Sequence, residues 1–133
     1  MLITREMDYT LRILRALHQN GPLAAAEIAQ KENMPKAITL KLLKRLRAAG
    51  LTDSRRGNCG GYQLSISCEE LYLGDLFQVL EESPLVNRCQ GPGYRCENAP
   101  EGRCGLCREL SRIQAVLDAE LRKTPLSAIF QEM

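Results

Sequence analysis

A chain of 133 residues, 44% hydrophobic and 26% charged, can bury one core and has little length left for a second domain. No apolar run is long enough to span a membrane and the N-terminus carries no signal-peptide pattern, so the expected compartment is the cytoplasm, with no membrane partner. The net charge is only +2, but residues 1–60 hold 11 Lys+Arg against 5 Asp+Glu, whereas residues 61–133 hold 7 against 11. A basic N-terminal half fits a polyanion partner, most commonly nucleic acid; it fits an ordinary solvated surface equally well.

Thr4 can cap a first helix, because its hydroxyl can accept from an orphan backbone N–H. Met7, Leu11, Leu14 and Leu17 recur at helical spacing through Arg5–Gln19, and Asn20-Gly21-Pro22 stops the run. A short helix is predicted over Ala24–Lys31, followed by a tight connection at Asn33-Met34. Pro35 suits the first turn of a third helix, which should run to Ala49 and end at Gly50, with Ile38, Leu42, Leu43 and Leu46 inward. Two short strands follow: Leu51–Arg55, then an alternating run from Tyr62 to Ser67. They are joined by a loop whose glycines permit a sharp reversal.

Gly74–Glu82 reads as a fourth helix ended by Pro84. Residues 85–104 show no periodicity, and a loop that long in a small domain is usually functional or disordered. Gly105–Lys123 is a long amphipathic helix; Leu106, Leu110, Ile113, Leu117 and Leu121 form a stripe close to a coiled-coil seam. Thr124-Pro125 closes it, and Leu126–Phe130 is a short apolar tail.

Helix, helix, turn, helix and a hairpin with a basic, Gly-rich tip is the order of a winged helix-turn-helix. The fold class is therefore mainly α with a small β-hairpin wing and a long C-terminal dimerisation helix. The domains divide as 1–70 for DNA binding and 71–133 for a cysteine-rich loop and dimerisation helices. Residues 31–56 carry 8 basic against 2 acidic side chains, where a groove-reading helix and a phosphate-contacting wing need them. The candidate DNA contacts are Lys36, Ala37, Lys41, Lys44, Arg55, Arg56 and Asn58. A protein-binding bundle could share this geometry, but the charge concentration argues against it.

Six cysteines in a reducing compartment point to metal or redox chemistry, not a disulfide framework. Cys89, Cys96, Cys104 and Cys107 read C-x6-C-x7-C-x2-C within a Gly/Pro-rich segment, and Arg88, Arg95, Arg103 and Arg108 flank them. Thiolates suit iron–sulfur clusters and zinc alike, and redox thiols without metal fit the same spacing. Cys68 reads as a small packed residue; Cys59 sits at the wing tip without an assigned role. The one histidine, His18, continues a helix face. No nucleophile–base constellation or phosphate-cradling loop is present, so the chain is not read as an enzyme.

The residues also resemble a known family. Leu2-x-Thr4 with Asp8-Tyr9-x-Leu11-Arg12-x-Leu14 is similar to the opening of Rrf2-family regulators. So are Glu27-Ile28-Ala29, the run from Leu42 to Leu51, and the wing Arg56-Gly57-x-x-Gly60-Gly61-Tyr62-x-Leu64. Leu73-Gly74-Asp75 followed by the cysteines completes the pattern across nearly the whole chain.

The resemblance implies a homodimer with crossing C-terminal helices and a palindromic operator on double-stranded DNA. It implies a [2Fe–2S] or [4Fe–4S] cluster on Cys89, Cys96 and Cys104, sensing iron or cluster supply, redox state or nitric oxide. For the fourth ligand it offers two positions. Cys107 stands where the cluster-assembly branch has a histidine, and Asp8 of the partner subunit matches the acidic ligand of the nitric-oxide-sensing branch. Zinc, or thiol redox chemistry without a cluster, is the alternative.

Overall fold

The computed structural model describes residues 1–57, 60–102 and 104–133. Helix α1 (Arg5–Asn20) opens as expected: Thr4 Oγ1 accepts the Met7 N–H at 3.2 Å, and Glu6 and Asp8 in the first turn suit the positive end of the helix dipole. Helix α2 (Ala25–Lys31) is fastened by Glu27, whose carboxylate accepts the Ala24 N–H at 3.1 Å. The chain turns through Asn33, at φ 51°, and enters α3 (Lys36–Ala48) behind Pro35. Asparagine tolerates that left-handed conformation better than most residues.

Strands β1 (Thr52–Arg55) and β2 (Gly61–Leu64) pair antiparallel, from Thr52 opposite Leu64 to Arg55 opposite Gly61. The second strand was expected to run to Ser67. It stops at Leu64 because β1 begins at Thr52, leaving later residues no further strand partner; the Ser65 N–H makes a last bond to the Leu51 carbonyl at 2.9 Å. Tyr62 exchanges two backbone hydrogen bonds with Leu23, at 2.7 and 3.0 Å, so the hairpin is tied to the α1–α2 connection. Gly61 makes that approach possible: a Cβ there would lie 2.6 Å from the Leu23 backbone.

Helix α4 (Leu73–Val79) is shorter than its periodicity suggests, because the chain leaves it through Glu81 at φ 57°. A 3-10 turn at Arg88–Gln90 lies in the aperiodic segment. Helix α5 (Gly105–Glu120) follows, and the expected apolar tail is a further helix, α6 (Leu126–Glu132), starting behind Pro125. Leu126 and Phe130 of α6 are buried in the same cluster as Leu14, Leu43 and Leu76. The Leu126 N–H donates to the Leu71 carbonyl at 2.8 Å and the Ser127 N–H to that of Cys68 at 3.0 Å. One core therefore draws on residues from both sides of position 70.

Candidate functional site

Helix α3 and the hairpin carry the exposed basic candidates. Lys36, Ala37 and Lys44 on α3 and Arg55 and Arg56 at the wing are exposed. Lys36 and Ala37 open α3, where a groove-bound helix would reach base edges. Asn58, the remaining candidate, lies outside the described residues, as does Cys59. Lys41 is exposed too, but it is ion-paired with Glu6 of α1, and Arg45 Nη1 lies 3.3 Å from the other Glu6 oxygen. The Lys41 hydrogen bond, helped by the charges of Lys41 and Arg45 and opposed by partial burial, holds the Glu6 carboxyl below its ordinary value.

The cysteine-rich segment builds a second site. Cys89 on the 3-10 turn, Cys96 in the loop, Cys104 at the N-cap of α5 and Cys107 in its first turn line one cavity of about 470 Å³. All four are half-buried. Cys104 Sγ accepts the Cys107 N–H at 3.4 Å, the place a Ser or Asp hydroxyl or carboxylate takes at other helix starts. Gln90 Nε2 donates to the Cys107 carbonyl at 3.3 Å and reaches the sulfurs of Cys89 and Cys107 at 3.5 and 3.6 Å. The Ser111 hydroxyl in turn donates to Gln90 Oε1 at 2.8 Å. Arg88 packs over the Tyr94 ring, its guanidinium carbon 6.0 Å from the ring centre.

Cys89, Cys96, Cys104 and Cys107 thus all line the same cavity. Asp8 is elsewhere, on α1, paired with Arg12 at 3.1 Å. Among the described residues, no three His, Cys, Asp or Glu side chains stand close enough to hold one metal ion. Cys68 is buried in the core, which pushes its thiol pKa up and separates it from the other four.

Four polar residues, Gln114, Glu82, Thr4 and Arg45, join this site to the basic helix α3. Gln114 is the buried residue of α5. Its Oε1 accepts the Val86 N–H at 2.8 Å, and its Nε2 donates to the Pro84 carbonyl at 2.8 Å and to Asp118 at 2.9 Å. The segment between α4 and the cysteine turn is therefore clipped to α5. On its other side, the Thr4 hydroxyl at the head of α1 donates to Glu82 at 3.0 Å, and Arg45 of α3 reaches the Leu80 carbonyl at 3.4 Å. Cys107, Ser111, Gln114 and Asp118 recur at four- and three-residue intervals. That polar stripe was the one available signal, and it reads as solvated surface until the packing is known. The apolar stripe is split: Leu106 and Ile113 are 65% and 39% exposed, with Val116 beside them at 54%, whereas Leu117 packs against the core and Leu121 is buried in it.

The profile of the Rrf2 family, described as iron-dependent transcriptional regulator, matches residues 3–132. The chain is 34% identical over 110 residues to the HTH-type transcriptional regulator IscR of Aliivibrio salmonicida, covering 77% of this chain and 62% of that protein. It is 39% identical over 77 residues to IscR of Pectobacterium carotovorum, covering 57% of this chain and 47% of the relative. Among solved structures it is similar to CymR of Bacillus subtilis, described as the global cysteine regulator, at a TM-score of 0.71 and 28% identity, over 98% of this chain and 97% of that one. The oxidized form of Staphylococcus aureus CymR is similar at a TM-score of 0.67 and 26% identity, over 98% and 96%. The chain therefore spans 47% to 62% of those two IscR relatives but nearly the whole of both CymR structures.

Proposed function

This chain belongs to the Rrf2 family of transcriptional regulators, which are DNA-binding proteins and not enzymes, and on that premise we propose that the chemical state of Cys89, Cys96, Cys104 and Cys107 sets its hold on operator DNA. One observation carries this reading. Four thiols from a turn, a loop and a helix start line a single cavity in a chain otherwise built as a winged helix-turn-helix. Residues 1–70 are the DNA-binding head and residues 71–133 carry the cysteine site and the dimerisation helices. The exposed apolar residues of α5, Leu106, Ile113 and Val116, are the face through which two copies pair, presenting two heads to a palindromic operator. Lys36 and Ala37 lie toward base edges; Lys44, Arg55 and Arg56 lie toward phosphates.

Thiol redox chemistry without a cluster is the form the described geometry favours. Among the described residues no three-ligand centre is gathered, Gln90 reaches the sulfurs of Cys89 and Cys107, and CymR is among the similar structures. A change at the site would reach the heads through Gln114, the 84–86 segment and the contacts of Thr4 and Arg45.

A second reading, an iron–sulfur cluster, has its own support. The donor chemistry fits: four soft thiols share one cavity on a loop able to close around a larger group, and the family description and the IscR relatives point the same way. Cys89, Cys96 and Cys104 would hold it, with Cys107 or Asp8 of the partner subunit as fourth ligand. A bound cluster would supply a one-electron redox centre that oxidants and nitric oxide can break down. Zinc on the same thiols would act as a structural clip.

The test is purification without oxygen, with visible absorption and assays for iron, sulfide and zinc on one sample. Brown, iron- and sulfide-containing protein selects the cluster; colourless zinc protein selects the clip. Colourless metal-free protein that stays so after attempted cluster reconstitution selects the thiol form. Operator duplexes selected from a random pool are then bound at fixed salt by reduced and oxidised protein. Equal affinities in the two states would sink the sensing role in every form.

A further inference from the structure

We propose that Cys104 and Cys107 are a dithiol redox pair, oxidised to an intramolecular disulfide by a hydroperoxide, and that this step is the signal-receiving event of the cysteine site. The inference rests on the sensing role proposed above and names its chemistry.

The two cysteines occupy the start of α5 as Cys104-Gly105-Leu106-Cys107. A C-x-x-C pair at a helix N-terminus places one thiol against the helix's free N–H groups and the other one turn in, the arrangement that thiol–disulfide chemistry uses. Here the contact is made: Cys104 Sγ accepts the Cys107 N–H at 3.4 Å. The helix behind it is 16 residues long and has no acidic side chain in its first turn, so its positive end faces the sulfur uncompensated.

A second, independent feature fixes the other thiol. Gln90 Nε2 donates to the Cys107 carbonyl and approaches its sulfur, and Ser111 anchors the Gln90 side chain from the far side. Cys107 is thereby held on the cavity wall next to Cys104. Residues three apart on a helix have Cβ atoms about 5–6 Å apart, whereas a disulfide brings them to about 3.8 Å. Cys104 can make up the difference because it is outside the helix, at φ −106° and ψ 119°.

The step balances as follows. The Cys104 thiolate attacks one oxygen of the hydroperoxide and breaks the O–O bond. The remaining oxygen leaves as an alcohol, or as water when the oxidant is hydrogen peroxide, and Cys104 becomes a sulfenic acid. The Cys107 thiol then attacks that sulfur and expels the hydroxyl as water. Two thiols lose two electrons and two protons, and the peroxide takes up both.

The sequence offers a clean readout. Trypsin cuts after Arg103 and Arg108, so Cys104 and Cys107 leave together on one five-residue peptide, whereas Cys89 and Cys96 leave on residues 89–95 and 96–103. Reduced, chelator-treated full-length protein is exposed to a small excess of hydrogen peroxide, its remaining thiols are blocked with N-ethylmaleimide, and the digest is weighed. The expected product is the five-residue peptide lighter by two hydrogens and unlabelled, with Cys89 and Cys96 labelled. In Cys107→Ser, Cys104 should accumulate as a sulfenic acid captured by dimedone; in Cys104→Ser, Cys107 should not.

A doubly labelled five-residue peptide, or Cys107 joined to Cys89 instead, overturns the pair. Operator affinity is measured on the same oxidised sample. Disulfide formation without a change in affinity supports the pair and refutes the sensing role; a change in affinity with the peptide still reduced refutes the pair and leaves the sensing role standing.

Discussion

The carboxylate of Glu6, in the first turn of α1, accepts a hydrogen bond from Lys41, in the middle of the basic helix α3, and the same carboxylate lies 3.3 Å from Arg45. Two of the cations on α3 are thus shared between an internal partner and any phosphate that approaches. The pair also links the helix that begins at Thr4 to the helix proposed to enter the major groove.

Replacing Glu6 with Gln removes the internal competitor. The variant is expected to bind duplex DNA more tightly, with the slope of log affinity against log salt steeper by about one phosphate equivalent. An unchanged slope in a salt titration would mean that Lys41 does not meet phosphate. The same substitution has a pH signature. Glu6 has a folded pKa below the ordinary 4.5, so its stabilising effect is complete above that value and is lost as pH falls through the lower folded value. Urea midpoints below pH 4.5 should therefore fall more steeply for the wild type than for Glu6→Gln. The pair is half-exposed, so the difference is modest.

Lys44 is exposed on α3 and makes no ion pair among the described residues, unlike Lys41, Arg45 and Arg47. Lys44→Ala should weaken binding to all duplexes alike and flatten the salt slope by about one unit. Loss of discrimination between operator and random DNA would instead make Lys44 a base-reading residue.

Gln114→Leu keeps the volume on α5 but leaves the Val86 N–H and the Pro84 carbonyl without their partner. Such groups cost about 1–3 kcal/mol each when fully buried; Pro84 and Val86 are partly exposed, so the urea midpoint should drop by less than that at fixed protein concentration. If Gln114 also carries the signal, the operator affinities of reduced and oxidised protein should converge in this variant. A lower midpoint with the full redox difference retained would confine Gln114 to a structural role.

Val116 is 54% exposed on α5, one turn from Ile113 of the apolar stripe. Val116→Asp should leave the fold of one chain nearly unaffected, because the residue is outside the core, yet weaken self-association by placing a charge in the proposed seam. Sedimentation velocity across a concentration series reads this directly. An unchanged association constant would move the dimer interface off this stripe.

Much of the site was legible in order of residues alone. The start of α1 at Thr4, the break at Gly21, the turn at Asn33 and the Gly-rich wing depend on local backbone preferences, and those are properties of a few adjacent residues. Strand β2 and helix α4 were read too long, since their ends are set by where a partner strand begins and where Glu81 turns the chain. The tail after Pro125 became a helix because Leu126 and Phe130 find room in the core beside Leu71 and Cys68, which no local pattern records.

The sequence by itself determined the family, the winged helix-turn-helix order, the basic face and the four cysteines, because each is written in residue type and short spacing. Only the tertiary structure decided that Cys107 shares one cavity with Cys89, Cys96 and Cys104 while Asp8 of the same chain pairs with Arg12. It also decided that Glu6 engages Lys41, and that α5 buries Gln114 and turns Leu106 and Val116 outward. The reason is physical: a long polar side chain is solvated or buried according to which distant carbonyls and N–H groups the fold brings within reach, and sequence spacing holds no information about those partners.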